Sequence, residues 1–547
     1  MTDLSADVSG DPTTDEVSVA PVDGPTRSLI GASAAPAVGT ALSRASGLLR
    51  VAALTAALGL TEIADVYNLA NTAPNILYEL VIGGVLSSTL VPLFIHARKD
   101  PADDDSTSVM ITVAFVAITA LTVVAVLASP LINQIFSLSL DGEERARQAA
   151  IGGDFLMLLL PQVFFYGMMT LGTALLHSRR RFAAPAFTPV LTNVVISLAA
   201  LSVYLFIDPT VDGPDTMRTV YVLGVGTTAG VAAMAVALLP AIRRADIRLK
   251  WDFRPKHPAV KSVLRLSGWT VGFAISNQIA LLVVLTIARG AGVGAVSAYQ
   301  YAFIFFQLPY GLIAVSLMTA VLPELATAAR DGDDAVFIAR FREGLSLLLT
   351  FMLPAAGAYL FIGRPLIELL LQRGEFDAAA TSETADMLLG FSFGLPAFAI
   401  FLYCVRAFHA RRNTRTPFYM NLFENALNVA LVLPFIAWFG TSGLSVAYSV
   451  AYVAAAVGAL VLLQRRVPGL MSWTALAQLG RGILAAVAVL VWIGVARTYV
   501  EVDGAVADVL LTVAVALVVF VPAVALTRPY GFEPVIDRIR RLLPGRD

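Results

Sequence analysis

Charge is scarce in this sequence. Asp, Glu, Lys and Arg together make 14% of the 547 residues against 57% hydrophobic, a balance that a water-soluble chain of this length does not keep. A large soluble domain is therefore excluded. Cysteine occurs once, as Cys404 in an apolar run, which rules out an intrachain disulfide and any cysteine-cluster metal site. Signatures of catalysis are missing as well. There is no Walker loop, HExxH pair, GxSxG elbow or dinucleotide-binding fingerprint, and the four histidines are scattered along the chain. No enzymatic activity, metal or cofactor is expected, and ATP is not the direct energy source through this chain. The net charge of −1 points to neither an acidic nor a basic partner, and no nucleic-acid partner is expected.

What is present is apolar sequence in membrane-sized pieces. Mean hydropathy is +0.77. A bilayer core takes about 20 consecutive apolar residues per helix, and such runs recur from Leu29 to Leu526 with short polar breaks. They start near Leu29, Val66, Ser108, Ala149, Ala186, Met217, Lys261, Val296, Ala335, Thr384, Pro417, Ser442, Ala475 and Ala505. The fold expected is an all-α integral membrane protein of about fourteen helices. Loops after the even-numbered runs carry the basic residues: Arg98 and Lys99; Arg179 to Arg181; Arg243, Arg244, Arg248, Lys250, Arg254 and Lys256; Arg330; Arg411, Arg412 and Arg415; Arg465 and Arg466. Those loops are expected in the cytoplasm, which puts both termini there. Residues 1–28 are rich in Asp, Thr, Ser and Pro and have no basic segment ahead of an apolar core, so they read as a disordered tail, not a signal peptide. Residues 527–547 form a second tail in which Arg538, Arg540, Arg541 and Arg546 alternate with apolar residues, either solvated or lying on anionic lipid.

The sequence repeats itself. His177, Arg179, Arg180, Pro185 and Asn193 have the spacing of His409, Arg411, Arg412, Pro417 and Asn425, six helices later; a weaker echo joins Ser88 and Pro92 to Thr319 and Pro323. Six is even, so the copies share one orientation, and the repeat predicts two parallel six-helix lobes, residues 29–244 and 261–466. Two further helices over residues 475–526 fall outside it.

Polar groups within the apolar runs are the candidate functional residues, because a charge at the bilayer centre costs at least a few kcal/mol. Arg44 and Arg50 lie in the first run, about 120° apart on an ideal helix, and line one cavity only if it is wide or the helix bends near Gly47. Guanidiniums there suit a phosphate-bearing head group; the bland alternative is snorkelling to an interface. Asp65 gates, caps the second helix or has no role. Glu79, Asp154 and Glu424 are lone acids. Glu424 and Asn428 share a helix face flanked by Asn421 and Asn425, which offers oxygens to a cation or a proton, or else hydrogen bonds between helices. Pro74, Pro92, Pro161, Pro309, Pro323 and Pro396 mark hinges or ordinary kinks.

Several stretches resemble the MviN/MurJ family of lipid II flippases, in the superfamily that also holds multidrug and polysaccharide exporters. They are Ser43 to Arg50; Ala64-Asp65 with Pro74-Asn75 and Val91-Pro92; Arg181-Phe182 with Pro185 and Pro189 to Asn193; Gln307-Leu308-Pro309 with Gly311; Leu371 to Asp377; and Arg406 to Ala410 with Thr414 to Pro417. The resemblance implies two lobes around a central cavity, a lipid groove beside the last two helices, and outward transport of an undecaprenyl-pyrophosphate saccharide in a bacterial cytoplasmic membrane. Arg44, Arg50 and Asp65 match positions where the family has functional charges, here expected to bind substrate; Glu424 and Asn428 are carried as the ion- or proton-coupling pair. The chain departs from the family pattern at Val51, at Tyr78, Glu79 and Gly83, and at Phe303 and Ile304, where family charges are replaced. An exporter of another polyprenyl-linked saccharide, or a non-transporting scaffold for cell-wall synthesis enzymes, is the alternative. Expected partners are the lipid-linked saccharide, membrane lipids and those enzymes.

Overall fold

The computed structural model describes residues 29–80, 104–208, 215–245, 250–258, 260, 268–500 and 502–533. Residues 1–28 and 534–547 of the two tails, Arg98, Lys99, Ser88, Pro92, Arg248 and the start at Lys261 lie outside the described residues. Within them the chain is helical: α1 (Leu29–Leu58), α2 (Glu62–Tyr78), α3 (Asp104–Leu127), α4 (Ser129–Phe136), α5 (Gly142–Leu159), α6 (Gln162–Ser178), α7 (Ala183–Phe206), α8 (Thr216–Val236), α9 (Leu239–Arg243) and α10 (Gly268–Ala291). Then come α11 (Ala295–Pro309), a π-helical turn (Tyr310–Ala314), α12 (Val315–Asp331), α13 (Asp334–Leu371), α14 (Ala378–Ser392), α15 (Leu395–Ala410), α16 (Arg415–Phe439), α17 (Gly443–Arg466), α18 (Trp473–Tyr499) and α19 (Ala505–Thr527). No strand occurs among the described residues. The starts expected at Leu29, Ala186, Met217, Val296, Ala335 and Ala505 fall within three residues of the observed ones.

Eleven helical runs among the described residues are long and apolar enough to cross a bilayer, or up to twelve if α14 and α15, bent by 47°, make one span. The longest run, Arg415–Arg466, holds two helices, α16 and α17, which meet at Gly440 and pack on each other. Gly443 makes that reversal possible, since a Cβ there would stand 2.2 Å from the Phe435 carbonyl oxygen.

Side chains at the joints explain the boundaries. Asp333, Asp377 and Ser472 each accept a hydrogen bond from the backbone N–H three residues on and so cap α13, α14 and α18. Pro161 separates α5 from α6, Pro309 precedes the π-helical turn and Pro396 opens α15, whereas Pro74 and Pro323 are held inside α2 and α12.

The repeated corners fold alike. Arg180 and Arg412 both have φ 56°, and each donates its N–H to the histidine carbonyl three residues back; the next residue, Arg181 or Asn413, reaches back five residues to close the helix end. An arginine in this left-handed region costs about 1 kcal/mol relative to glycine. Both side chains are exposed, so Arg180→Gly and Arg412→Gly are each expected to raise the thermal stability of the solubilised protein by up to about 1 kcal/mol. A fall in melting temperature would mean that the arginine side chains themselves hold the corner.

Packing sorts the helices into two groups. In the first, α1 lies along α7, α7 along α8, α2 along α5, and α6 against α3 and α8. In the second, α10 lies on α16, α17 on α15 and α16, and α14 on α11 and α13. The pair α18 and α19 packs on α13. The basic segment near Lys250 is tied to the first group, because the N–H groups of Lys250 and Asp252 donate to the hydroxyls of Ser108 and Thr112. There Arg254 pairs with Asp252 and holds its carboxyl below the usual range.

Candidate functional site

At one end of the molecule the two groups are clasped together. Asp65 stands in the first turn of α2, but it does not cap that helix: Thr61 does, through Ala64 N–H at 3.4 Å. The expectation of an Asp65 cap on α2 is thus corrected, because Thr61 already fills the position and Asp65 points at another helix. Its Oδ1 accepts from the Ser297 N–H at 2.8 Å and the Ser297 hydroxyl at 2.6 Å, and its Oδ2 from the Gly294 N–H at 2.8 Å. Asp65 therefore caps α11 from the opposite group, putting a negative charge on the positive start of that helix. Gly294 has φ 87°, and Leu60 lies where its Cβ would be, so only glycine fits there.

The clasp continues inward and sideways. Asn68 donates to the Ser297 hydroxyl at 2.9 Å and the Tyr301 hydroxyl at 3.2 Å, and Gln300 donates to the Thr72 hydroxyl at 3.2 Å. Arg289, buried at the end of α10, donates to the Gln148 side chain at 3.0 and 3.1 Å and to the Phe136 carbonyl at 3.2 Å. The segment Gln372 to Asp377 closes on the end of α1, where the Glu375 N–H donates to the Ala56 carbonyl at 3.0 Å. Gly59 and Gly374 both take positive φ, and a Cβ on either would strike the facing backbone at 2.4 or 2.3 Å. The hydrogen bonds found between the two groups among the described residues all lie at this end.

Towards the other end the charges of α1 have no carboxylate partner among the described residues. Arg44 is exposed and its guanidinium lies against Gly311 of the π-helical turn, where a Cβ would stand 3.0 Å from Nη1. Arg50 is half-buried near the Tyr67 and Tyr166 side chains, and its Nε is buried without a hydrogen-bond partner. Helix α1 runs unbroken through Gly47, so the two guanidiniums face different neighbours: Arg44 the second group, Arg50 the interior of the first. Asp65, at 3% exposure, has no room for a ligand in this conformation.

The acid of α16 sits in a polar cluster inside the second group. Glu424 is 1% exposed, receives the Tyr452 hydroxyl, and leaves Oε2 without a partner; Asn421 Oδ1 and Asn428 Oδ1 are likewise buried and unpartnered. These three oxygens lie on one face of α16 at positions i, i+3 and i+7. The donors of Asn421 and Asn425 go to Asn277 of α10 at 2.7 and 2.8 Å. Thus the flanking asparagines tie helices together, while the acceptors around Glu424 stay open. Between α18 and α19 lies an apolar groove of about 740 Å³ lined by Trp492, Tyr499, Val515 and Val518 among others.

Residues 54–515 match the family described as lipid II flippase MurJ. The chain belongs to the MurJ family. A probable lipid II flippase MurJ of Rhizobium meliloti is 30% identical over 417 residues, 75% of this chain and 76% of that protein. The lipid II flippase MurJ of Burkholderia cenocepacia is 28% identical over 69% of this chain and 72% of its own length. A lipid II flippase MurJ solved in an inward closed conformation shares the fold, with a TM-score of 0.75 and 23% identity over 92% of this chain and 99% of that one. An inward-facing multidrug resistance MATE transporter shares it more distantly, with a TM-score of 0.64 and 15% identity over 79% and 95% of the two chains.

The matched MurJ region includes Asp65, Glu424, Asn428 and every partner in the clasp, and it begins just after Arg44 and Arg50. Sequence reasoning singled out Asp65 but not Gly294, Ser297, Arg289 or Gln148. The stretch Leu371 to Asp377 carries the resemblance to the MurJ family in sequence; the structure gives its Gly374 and Glu375 a place in the clasp.

Proposed function

We propose that this chain flips a polyprenyl-pyrophosphate-linked saccharide, lipid II, from the inner to the outer leaflet of a bacterial cytoplasmic membrane by alternating access. It acts as a transporter, not an enzyme. Residues 29–244 and 261–466 are its two lobes, and residues 475–526 shape the groove that receives the lipid tail. The observation that carries this reading is the confinement of the inter-group hydrogen bonds to one end. Two bodies latched at one end, with no such bond among the described residues at the other, have a hinge-like geometry that lets a cavity face alternate sides. With both termini in the cytoplasm, the latched end is the outer one and the unpartnered arginines look inward. Arg44 and Arg50 then meet the pyrophosphate of the entering lipid, and Asp65 acts on the cargo indirectly, by holding the outer gate shut. Lipids line the outer surface, and cell-wall synthesis enzymes act on the cargo before and after the step.

Depleting the protein in its native cell is expected to trap lipid II on the cytoplasmic face. If lipid II continues to reach the outer face while wall synthesis fails, the scaffold alternative holds. If a different polyprenyl saccharide accumulates, the cargo is that one.

Coupling is assigned to Glu424 with Asn428. Their open oxygens match what a hard cation or a proton needs, and a buried carboxylate with an unsatisfied oxygen is costly unless it binds something during the cycle. Glu424→Gln is expected to abolish the dependence of transport on one ion gradient while the protein remains folded. Unchanged ion dependence would reduce Glu424 to an interhelical hydrogen-bonding group.

A further inference from the structure

Many of the arginines among the described residues are held by a carboxylate or by amide and carbonyl oxygens. Arg147, Arg218, Arg254, Arg330, Arg340, Arg411 and Arg497 are each in an ion pair with a carboxylate. Arg289 and Arg342 are held by amide and carbonyl oxygens. Inside the helix bundle, Arg406 belongs with Arg44 and Arg50, for none of the ion pairs among the described residues includes it.

Arg406 lies one turn from the end of α15, half-buried, and donates to the Tyr310 hydroxyl at the start of the π-helical turn. It lines a cavity of about 340 Å³ walled by α10, the π-helical turn, α12 and α15. Trp269, Leu322 and Tyr310 supply apolar and aromatic walls, and His409 and Thr414 close the polar end. Thr414 precedes α16 and makes no side-chain cap, because the Asn413 side chain takes the Thr416 N–H at 3.1 Å instead; no capping bond holds the Thr414 hydroxyl back from the cavity. Arg44 touches the residue after Tyr310, Gly311. Two guanidiniums without carboxylate partners thus flank neighbouring residues of one π-helical turn, while α11 itself carries no cation. The volume is at the lower end of that of small-ligand pockets, about 300 to 1,000 Å³.

We infer that this cavity is a second phosphate-binding station, taking the pyrophosphate of the lipid-linked cargo beside the one at Arg44. The inference rests on the reading of the chain as a carrier of a polyprenyl-pyrophosphate lipid. A guanidinium with the Thr414 hydroxyl beside it offers the forked, charge-assisted donors that a phosphate oxygen takes best, and the aromatic walls suit the allylic end of the polyprenyl chain. The π-helical turn lets the cargo pass from Arg44 on α1 to Arg406 on α15 without losing its counter-charge. The same phosphate chemistry is presented by acidic phospholipids, so the test separates the two.

Full-length protein in neutral phosphatidylcholine nanodiscs is titrated with undecaprenyl pyrophosphate and, separately, with phosphatidylglycerol. Arg406→Gln is expected to weaken undecaprenyl pyrophosphate binding about ten- to a hundredfold, with Arg406→Lys in between and phosphatidylglycerol binding unchanged. Leu322→Phe narrows the cavity while keeping every charge, and the same selective loss is expected from it; it decides the matter if Arg406→Gln does not fold. Binding of undecaprenyl pyrophosphate by both variants as by the unaltered protein overturns the station. Equal loss of both lipids overturns it too, by making the cavity a general acidic-lipid site. Failure of the unaltered protein to bind undecaprenyl pyrophosphate overturns the transport reading itself.

Discussion

Replacing Asp65 by Ala is expected to abolish complementation of a flippase-depleted strain at normal membrane abundance. Three donors converge on this carboxylate, all from the start of α11: the Gly294 N–H, the Ser297 N–H and the Ser297 hydroxyl. A hydrogen bond to a charged group contributes about 1.5 to 3 kcal/mol net, so losing even one changes the closed-to-open ratio of the gate about ten- to a hundredfold. Asp65→Asn keeps the shape but removes the charge that meets the helix start, and it presents an amide donor to donors. It is expected to lie nearer to Ala than to the unaltered protein. Hydrogen exchange over residues 292–298 reads the cause directly: protection of the Gly294 and Ser297 amides falls in both variants, while that of the α16–α17 hairpin does not. Normal protection of those amides with lost transport would move Asp65 from the gate to the cargo.

Arg50→Ala is expected to remove most of the transport, and Arg50→Lys part of it. The buried Nε of Arg50 has no partner, and an unsatisfied buried donor costs about 1 to 3 kcal/mol. A phosphate oxygen arriving there would satisfy it. Lysine restores charge but not the fork, so a loss of about tenfold or more in apparent affinity is expected, with alanine worse. Arg44→Ala is expected to act at an earlier or later point, since its guanidinium faces the π-helical turn and not the interior of the first group. Full complementation by both Arg44→Ala and Arg50→Ala, at normal abundance, would make these residues interface anchors.

Much of the fold was legible because lipid imposes one simple rule, that each crossing be a long apolar helix with its backbone bonded internally. Leu29, Val296 and Ala505 could be placed to within a residue for that reason. The repeat was also legible, since the His-x-Arg-Arg corners need the same residues at the same spacing to make the same turn. The clasp was not. Asp65 could be suspected as a charge in an apolar run, but its partners are two backbone N–H groups and a serine 229 and 232 residues away, and backbone donors leave no mark in a sequence. Gly59, Gly294 and Gly374 were the available signal. Each follows or precedes a helix end, as many glycines do, so only the facing chain reveals that a Cβ is forbidden there. The separation of Arg44 from Arg50 was legible in their 120° spacing, but which neighbour each faces was not.

The clasp at Asp65 also fixes how time is divided in a cycle. Its bonds are made in a dry place, where each is worth about 4 to 6 kcal/mol before water can compete, yet once the end is wetted the same groups are bonded to water and the net difference shrinks to about 0.5 to 3 kcal/mol per bond. The open and closed forms therefore differ by far less than the height of the passage between them, since the bonds must part before water arrives to replace them. Such a latch is governed by wetting: its dwell time is set by the barrier more than by the depth of the closed state, and whatever admits the first few water molecules to the clasped end acts as its trigger.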